Sequence, residues 1–504
     1  MMHRQRKSQE GATTGGGVAR RSWRTLRRGA LGAALTLAVV PAAAVADGEG
    51  TGAVRPGEQG PGPVNTCFWG QPSANVGPIN ELNYPVAGTN VLEPDTNVVY
   101  YYTRFQLPAG ASITLHGQYP YSRFFSLTTY VTKAGVTGYP STSLYDAQIS
   151  PDPGSVNPFL PGESRRNKNR AYTVTISGQP QPATTAPNTL YAGQAGKTGE
   201  TQQVEMIMRL YRTDREREAN GGVPLPAPTL NPEGGSPVSD EAATCSALKD
   251  VSGAENVPLA TQGVPVATYL KLRELGPAPH PALATPLWER FFNPQRFVAP
   301  FYRNTPYEAL IGKLPTALTS GFYATPANAY LTTYADRTIG PNTEGHNILV
   351  LHAKMPTHPT TYTASGVNNY AGTQVRYWSL CTTGSIANPP VLPTDSACLF
   401  DEEVPTNSSG EYTVVVSLPE DRPKNARPPC GVAWMDWGTE GDHQGRASLD
   451  LLVMRNQLSS ATFEQSIGKV TTPGTEKEVM GAYYPTGTYM TQQEFEARRC
   501  ANGS

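Results

Sequence analysis

Alternating apolar and polar positions dominate the stretch Asn97 to Tyr130, NVVYYYTRFQLPAGASITLHGQYPYSRFFSLTTY. Turn signals at Pro108-Ala109-Gly110 and Gly117-Gln118-Tyr119-Pro120 divide it into three short strands. In the first, Val99, Tyr101, Thr103, Phe105 and Leu107 share one face, while Arg104 and Gln106 take the other. In the third, Arg123 shares the face of Phe125 and Leu127, an unusual place for a guanidinium. SLYDAQI (Ser143–Ile149), AYTVTIS (Ala171–Ser177) and VEMIMRLYR (Val204–Arg212) read as further strands, with a Pro-, Asn- and Arg-rich surface loop between the first two.

The same order returns downstream. NAYLTTY pairs with NVVYYYT, VRYWSL with SRFFSL, ACLFDEEV with SLYDAQI, EYTVVVS with AYTVTIS, and LDLLVMRN with VEMIMRLY. Arg376 opens its strand as Arg123 does, and shares the face of Trp378 and Leu380. Five matched strands in one order imply an internal duplication. The fold class expected is mainly β: two tandem antiparallel β-sandwich domains, jelly-roll-like, with a few short linker helices. The second copy is expected to add a Trp-rich segment, CGVAWMDWGTEGDHQG, before its last strand.

Composition sets the boundaries. Residues 1–46 combine an arginine-rich region, the apolar run Leu31–Val40 and Ala44-Val45-Ala46, which reads as an export signal of general or twin-arginine type. Residues 47–66 are Gly- and Pro-rich and read as a stalk. The first sandwich is expected over 67–215, a Pro/Gly-rich linker over 216–263, the second sandwich with an N-terminal helical segment over 264–470, and an extension over 471–504. The helical segment is VATYLKLRELG, begun by Pro265 and stopped by Gly276 and Pro277. Without the leader the chain carries 32 Lys and Arg against 40 Asp and Glu, a net of −8. That balance argues against nucleic acid as a partner, and the short apolar run against stable membrane insertion once the signal is cleaved. All six cysteines lie in the mature part, which favours disulfides in an exported chain. Cys381 and Cys398 flank a turn-rich connection between consecutive strands, and Cys67 with Cys245 would tie the first unit's start to its exit.

PDTNVVYYY (Pro94–Tyr102) with SRFFSL, more distantly TPANAYL with VRYWSL, and MRLYRTDRE followed by PLPAPTL carry a resemblance. They are similar to two bacterial families of unknown function, the domains numbered 1254 and 1214. The resemblance implies a jelly-roll-like fold and no chemistry.

The strongest candidate positions are Arg123 and Arg376, because a guanidinium on an apolar face must find partners. Asp146 and Asp401 lie at matching places on the next strand of each copy, with Asp95 a further possibility for the first. These residues form either a structural ion pair within each copy or a seat for an anionic or sugar ligand. Asn97 and Asn328 open the first strand of each copy, as turn-ending residues or ligand contacts. Asp436, Glu440, Asp442 and His443 collect oxygen donors in one loop without an EF-hand spacing. The histidines His116, His346, His352 and His358 have no zinc-ligand spacing, and no cofactor is expected. GQAGKTGE (Gly193–Glu200) mimics a phosphate loop, but Tyr191 stands where its first glycine belongs. No hydrolase elbow, metalloprotease helix or dinucleotide fingerprint occurs. Two function classes follow: an exported protein binding a carbohydrate or other small polar ligand, and a secreted hydrolase or carbohydrate-active enzyme with an acidic site between or at the end of the sandwiches.

Overall fold

The computed structural model describes residues 66–69, 95–133, 136–215, 219–248, 274, 280–297, 299–318, 323–363, 370–384, 397–439, 441, 445–498 and 500. The leader, nearly all of the stalk and the helical segment around 266–276 lie outside the described residues. Eight strands build the first sandwich: β1 (Val98–Leu107), β2 (Ser112–Gln118), β3 (Ser122–Lys133), β4 (Val136–Tyr145), β5 (Ala171–Ser177), β6 (Thr189–Tyr191), β7 (Gln202–Thr213) and β8 (Ala227–Asn231). They form a front sheet ordered β1-β7-β3-β4 and a back sheet ordered β6-β5-β2-β8. The apolar alternation read from the sequence places Tyr101, Phe105, Phe125, Leu127, Met206 and Met208 of the front sheet against Ile113, Leu115, Val174, Ile176 and Leu230 of the back.

The second sandwich repeats this plan. Its strands are β9 (Glu289–Arg290), β10 (Asn328–Asp336), β11 (Ile348–Lys354), β12 (Tyr377–Gly384), β13 (Ala397–Phe400), β14 (Glu411–Ser417), β15 (Ala433–Asp436), β16 (Leu449–Gln457) and β17 (Thr486–Met490). The front sheet is β13-β12-β16-β10-β9 and the back sheet β15-β14-β11-β17. Apart from the short edge strand β9, every strand has its counterpart in the same place, and all five strand pairs expected from the sequence are among them. The back sheets are mixed rather than purely antiparallel, since β5–β6 and β14–β15 run parallel.

Three expectations are corrected. The stretch 216–263 is no mere linker: β8 lies within it, pairs with β2 and buries Leu230, and the helix Glu241–Leu248 packs Leu248 into the first core. The residues after 470 are no extension, since β17 pairs with β11 and completes the second back sheet. The Trp-rich segment is no addition either, because β15 inside it occupies the place of β6. β8 and β17 are short edge strands whose partners β2 and β11 lie more than one hundred residues away, and β15 is a four-residue strand added in parallel to β14. The domain boundaries therefore fall elsewhere, and Thr51–Ser504 forms one compact unit.

All six cysteines pair, as Cys67–Cys245, Cys381–Cys398 and Cys430–Cys500. The first two are the pairs expected. Cys381 and Cys398 sit directly opposite each other on β12 and β13. No helix among the described residues is long and apolar enough to cross a membrane.

Candidate functional site

The two sandwiches dock front sheet to front sheet. Val98, Phe124 and Tyr211 of the first pack against Tyr377 and Phe400 of the second, with Tyr211 and Tyr377 ring centroids 5.3 Å apart. The candidate arginines sit in this interface, and they pair across it.

Arg123 is fully buried and reaches into the second sandwich. Its Nη1 donates to Asp401 Oδ1 and Oδ2 at 2.9 and 3.1 Å, its Nε to Thr361 Oγ1 at 2.5 Å, and its Nη2 to Glu402. Arg376 reaches the other way, donating to both oxygens of Asp146 at 3.1 and 3.2 Å. Its guanidinium also lies 3.9 Å from the Tyr370 ring. Each aspartate meanwhile holds its own sandwich: Asp146 accepts from the Phe125 N–H at 3.1 Å and Asp401 from the Trp378 N–H at 2.9 Å. Phe125 and Trp378 stand two residues beyond the equivalent arginines. The expected ion pairs thus exist with their partners exchanged, Arg123 with Asp401 and Arg376 with Asp146. Linear spacing cannot show this exchange, because it indicates which strands neighbour each other within a copy but not which faces of the two copies meet.

The electrostatics follow from burial. Desolvation opposes the Arg123 charge, but Asp401 and Glu402 more than restore it, so its pKa rises above the ordinary value. Desolvation also opposes ionisation of Glu402; Arg123 and the Tyr362, Thr363 and Thr361 donors prevail and hold its carboxyl low. Glu403 behaves oppositely. Burial pushes it up to about 7, with Arg212 opposing and the nearby Asp95 and Asp401 charges adding to the rise.

Asp95 is not a partner of Arg123. Its Oδ1 accepts the Asn97 N–H at 3.0 Å, closing a turn, and its Oδ2 accepts the Tyr377 hydroxyl at 2.9 Å across the interface. Asn97 donates to the Cys398 carbonyl at 3.2 Å and accepts from Arg212 at 3.2 Å, so it too bridges the sandwiches. Asn97 and Asn328 are not equivalent. Tyr100 opposite Arg209 matches Tyr330 opposite Arg455, which puts Asn328 at the place of Val98 and Asn97 at that of Ala327. The expected alignment of β7 with β16 is likewise one residue out, and that slip hid the equivalence of Arg209 and Arg455. Arg212 and Leu458, both at positive φ (36° and 44°), mark the same point at the end of each strand.

Of the acidic loop, Asp436 spends its Oδ1 on the Gly438 N–H at 3.0 Å, while Glu440, Asp442 and His443 lie outside the described residues. Gly193–Glu200 is a turn between β6 and β7 with Gly196 and Gly199 at φ +83° and +85°. No helix follows it, so the converging N–H groups of a phosphate loop do not form.

Neither arginine lines the open cleft that the described residues form. A cleft of about 930 Å³ lies instead on the outer side of the second back sheet and is lined by His352, Thr413, Asn407, Glu411, Arg498 and Thr486, among others. His352 Nδ1 and Thr413 Oγ1 are 3.0 Å apart, on directly opposed positions of β11 and β14. Burial, with Arg498 second, lowers the His352 pKa, so the ring stays neutral at pH 7. The first sandwich has His116 and Thr173 at the same place, 3.5 Å apart. Sequence reasoning treated these histidines as scattered. Aligning AYTVTIS with EYTVVVS, and the strands that pair with them, brings His116 over His352.

No family model matches this chain, and no curated protein does. Among solved structures, an uncharacterized protein from Burkholderia cenocepacia is similar over 82% of this chain and 81% of its own, at 10% identity and a TM-score of 0.39. The VPA0106 protein from Vibrio parahaemolyticus is similar over 82% of this chain and 94% of its own, at 11% identity and a TM-score of 0.36. What fold and site define together is a duplicated two-sandwich β protein, held by three disulfides and a reciprocal arginine–carboxylate clamp.

Proposed function

We propose that the chain is an exported binding protein that takes a carbohydrate or another small polar ligand in the cleft on the second sandwich. The observation that carries this reading is the cleft itself. Its volume of about 930 Å³ lies within the range usual for small-molecule sites, and its walls offer hydroxyl, amide, imidazole, carboxylate and guanidinium groups from His352, Thr413, Asn407, Glu411 and Arg498. Such a mixture of donors and acceptors suits a ligand rich in hydroxyls. Among the described residues Glu411 is the one carboxylate that lines the cleft, and cleavage of a glycosidic bond ordinarily needs two. That favours binding over hydrolysis. The leader pattern and the pairing of all six cysteines support export.

Screening the mature protein on a glycan array, followed by calorimetry with the best hit, tests the reading. A hit whose affinity falls at least ten-fold in His352→Ala and Asn407→Ala, with unchanged melting temperature, supports it. Binding that survives both substitutions moves the site elsewhere, and turnover of the hit would replace binding with catalysis.

A further inference from the structure

A second buried polar group lies between the front sheets, apart from the arginine clamp. Arg209 and Arg455 occupy equivalent positions on β7 and β16, the strands that β1 and β10 pair with, and are 4% and 3% exposed. Arg209 donates to the Tyr130 hydroxyl at 2.6 Å and to the Tyr323 carbonyl at 2.5 Å. Its guanidinium stands 5.6 Å from the Tyr100 ring and 5.7 Å from that of Tyr130. These partners are all neutral, since burial pushes both phenols far above the ordinary range. Among the described residues no carboxylate pairs with Arg209. Arg123, by contrast, holds Asp401 and Glu402, and Arg376 holds Asp146.

Arg455 differs from Arg209, since its Nη1 donates to Cys381 Sγ at 2.8 Å and the Asp95 carboxylate acts on it. Beside the two arginines, three buried neutral side chains have no hydrogen bond among the described residues. Ser126 lies directly opposite Arg209 in the sheet, and Ser379 directly opposite Arg455, so each shares its arginine's face. Both hydroxyls are fully buried and unbonded among the described residues. Gln457, two residues beyond Arg455 on the same face, is also fully buried with both ends of its amide unbonded. A buried cation without a carboxylate partner, beside unbonded hydroxyl and amide groups, has the chemistry that binds an anion. Tyr211, two residues beyond Arg209, packs on Phe124 at 5.1 Å and on Tyr377 at 5.3 Å, and Tyr377 lies directly opposite Gln457.

We infer that the interface between the front sheets binds a compact monovalent anion, either a small carboxylate such as formate or acetate or a halide, with Arg209 supplying the charge and Ser126, Ser379 and Gln457 the neutral hydrogen bonds. The anion then joins the two sandwiches at the centre of their interface. None of these residues lines the cleft, so the proposal stands or falls independently of what the cleft binds.

The test uses the full mature protein with its disulfides intact. Melts are recorded in sodium gluconate at constant ionic strength, titrated with formate, acetate, chloride or bromide. At least one anion is expected to raise the Tm saturably, as any ligand of the native state alone must. Ser126→Ala and Ser379→Ala remove little volume, fold, and raise the half-saturating concentration at least ten-fold; Arg209→Gln abolishes the response. If Arg209→Gln fails to fold, the two serine variants decide. Crystals grown in bromide should show an anomalous peak within hydrogen-bond reach of Arg209, and the carboxylate and halide titrations tell the two sources apart. No saturable shift with any of the four anions, or a shift unchanged in the double serine variant, overturns the proposal and leaves ordered water in the interface.

Discussion

At the scale of single residues, the informative feature is that each arginine of the repeat is answered by the other copy. A buried guanidinium that loses its carboxylate, or the reverse, costs about 3–5 kcal/mol. Arg123→Met is therefore expected to destabilise the whole unit by that amount in denaturant melts. A double-mutant cycle separates the pairings. Arg123→Met with Asp401→Leu should show a coupling of about 1–3 kcal/mol, and Arg123→Met with Asp146→Leu much less. Equal coupling to both aspartates would contradict the cross-paired clamp. Glu403 contributes a pH dependence beside it. Its pKa in the folded chain, about 7, stands above the ordinary carboxylate value of 4.5. A group raised on folding favours the folded state while protonated. Its contribution is thus complete below about pH 4.5 and disappears as pH rises through about 7. The melting temperature should fall between those limits, and Glu403→Gln should flatten the fall. A variant with the same slope as the parent chain would assign the dependence to another group.

At the scale of elements, two edge strands carry more than their lengths suggest. β8 has five residues and β17 five, yet each completes a back sheet and covers a core. Proline in the middle of either strand would remove ladder hydrogen bonds and clash with the pairing partner. Thr488 on β17 pairs with Val350 of β11. Thr488→Pro is expected to open the second back sheet, read as faster amide exchange along β11, while the first sandwich keeps its protection. Uniform loss of protection in both sandwiches would show instead that the unit unfolds only as a whole. These strands were invisible to periodicity because two or three alternations in a Pro/Gly-rich context match a loop equally well. The longer strands β1, β3, β7 and β16 were legible, having enough alternations to fix a face. Their register against each other was legible only to within one residue.

For the molecule as a whole, the interface is built from front-sheet faces that would otherwise be exposed. Tyr211, Phe124, Tyr377 and Phe400 would all meet water if the sandwiches separated. No disulfide crosses between the sandwiches, because Cys67–Cys245 lies within the first and Cys381–Cys398 and Cys430–Cys500 within the second. A protease site introduced between residues 250 and 272 should therefore yield two fragments that remain associated on size exclusion, under reducing and non-reducing conditions alike. Fragments that elute separately in native buffer would show that the front sheets do not hold the halves together. Peptide mapping without reductant should also find no free thiol.

The sequence alone was enough for the class of fold, the duplication and two of the three disulfides. These depend on patterns repeated over many residues, namely strand alternation, element order and cysteines flanking neighbouring strands, and such patterns survive without coordinates. It also marked Arg123, Arg376, Asp146 and Asp401 as partners, because a charge on an apolar strand face must be answered. Which aspartate answers which arginine was decided only in three dimensions. So were the roles of Asp95 and Asn97 as interface ligands of Tyr377, Cys398 and Arg212, the cleft around His352, and the unanswered charge of Arg209. Each of these rests on contacts between segments one hundred residues or more apart, or on the choice of which faces meet. Local periodicity says that a face is apolar or polar; only docking the two front sheets says what that face touches.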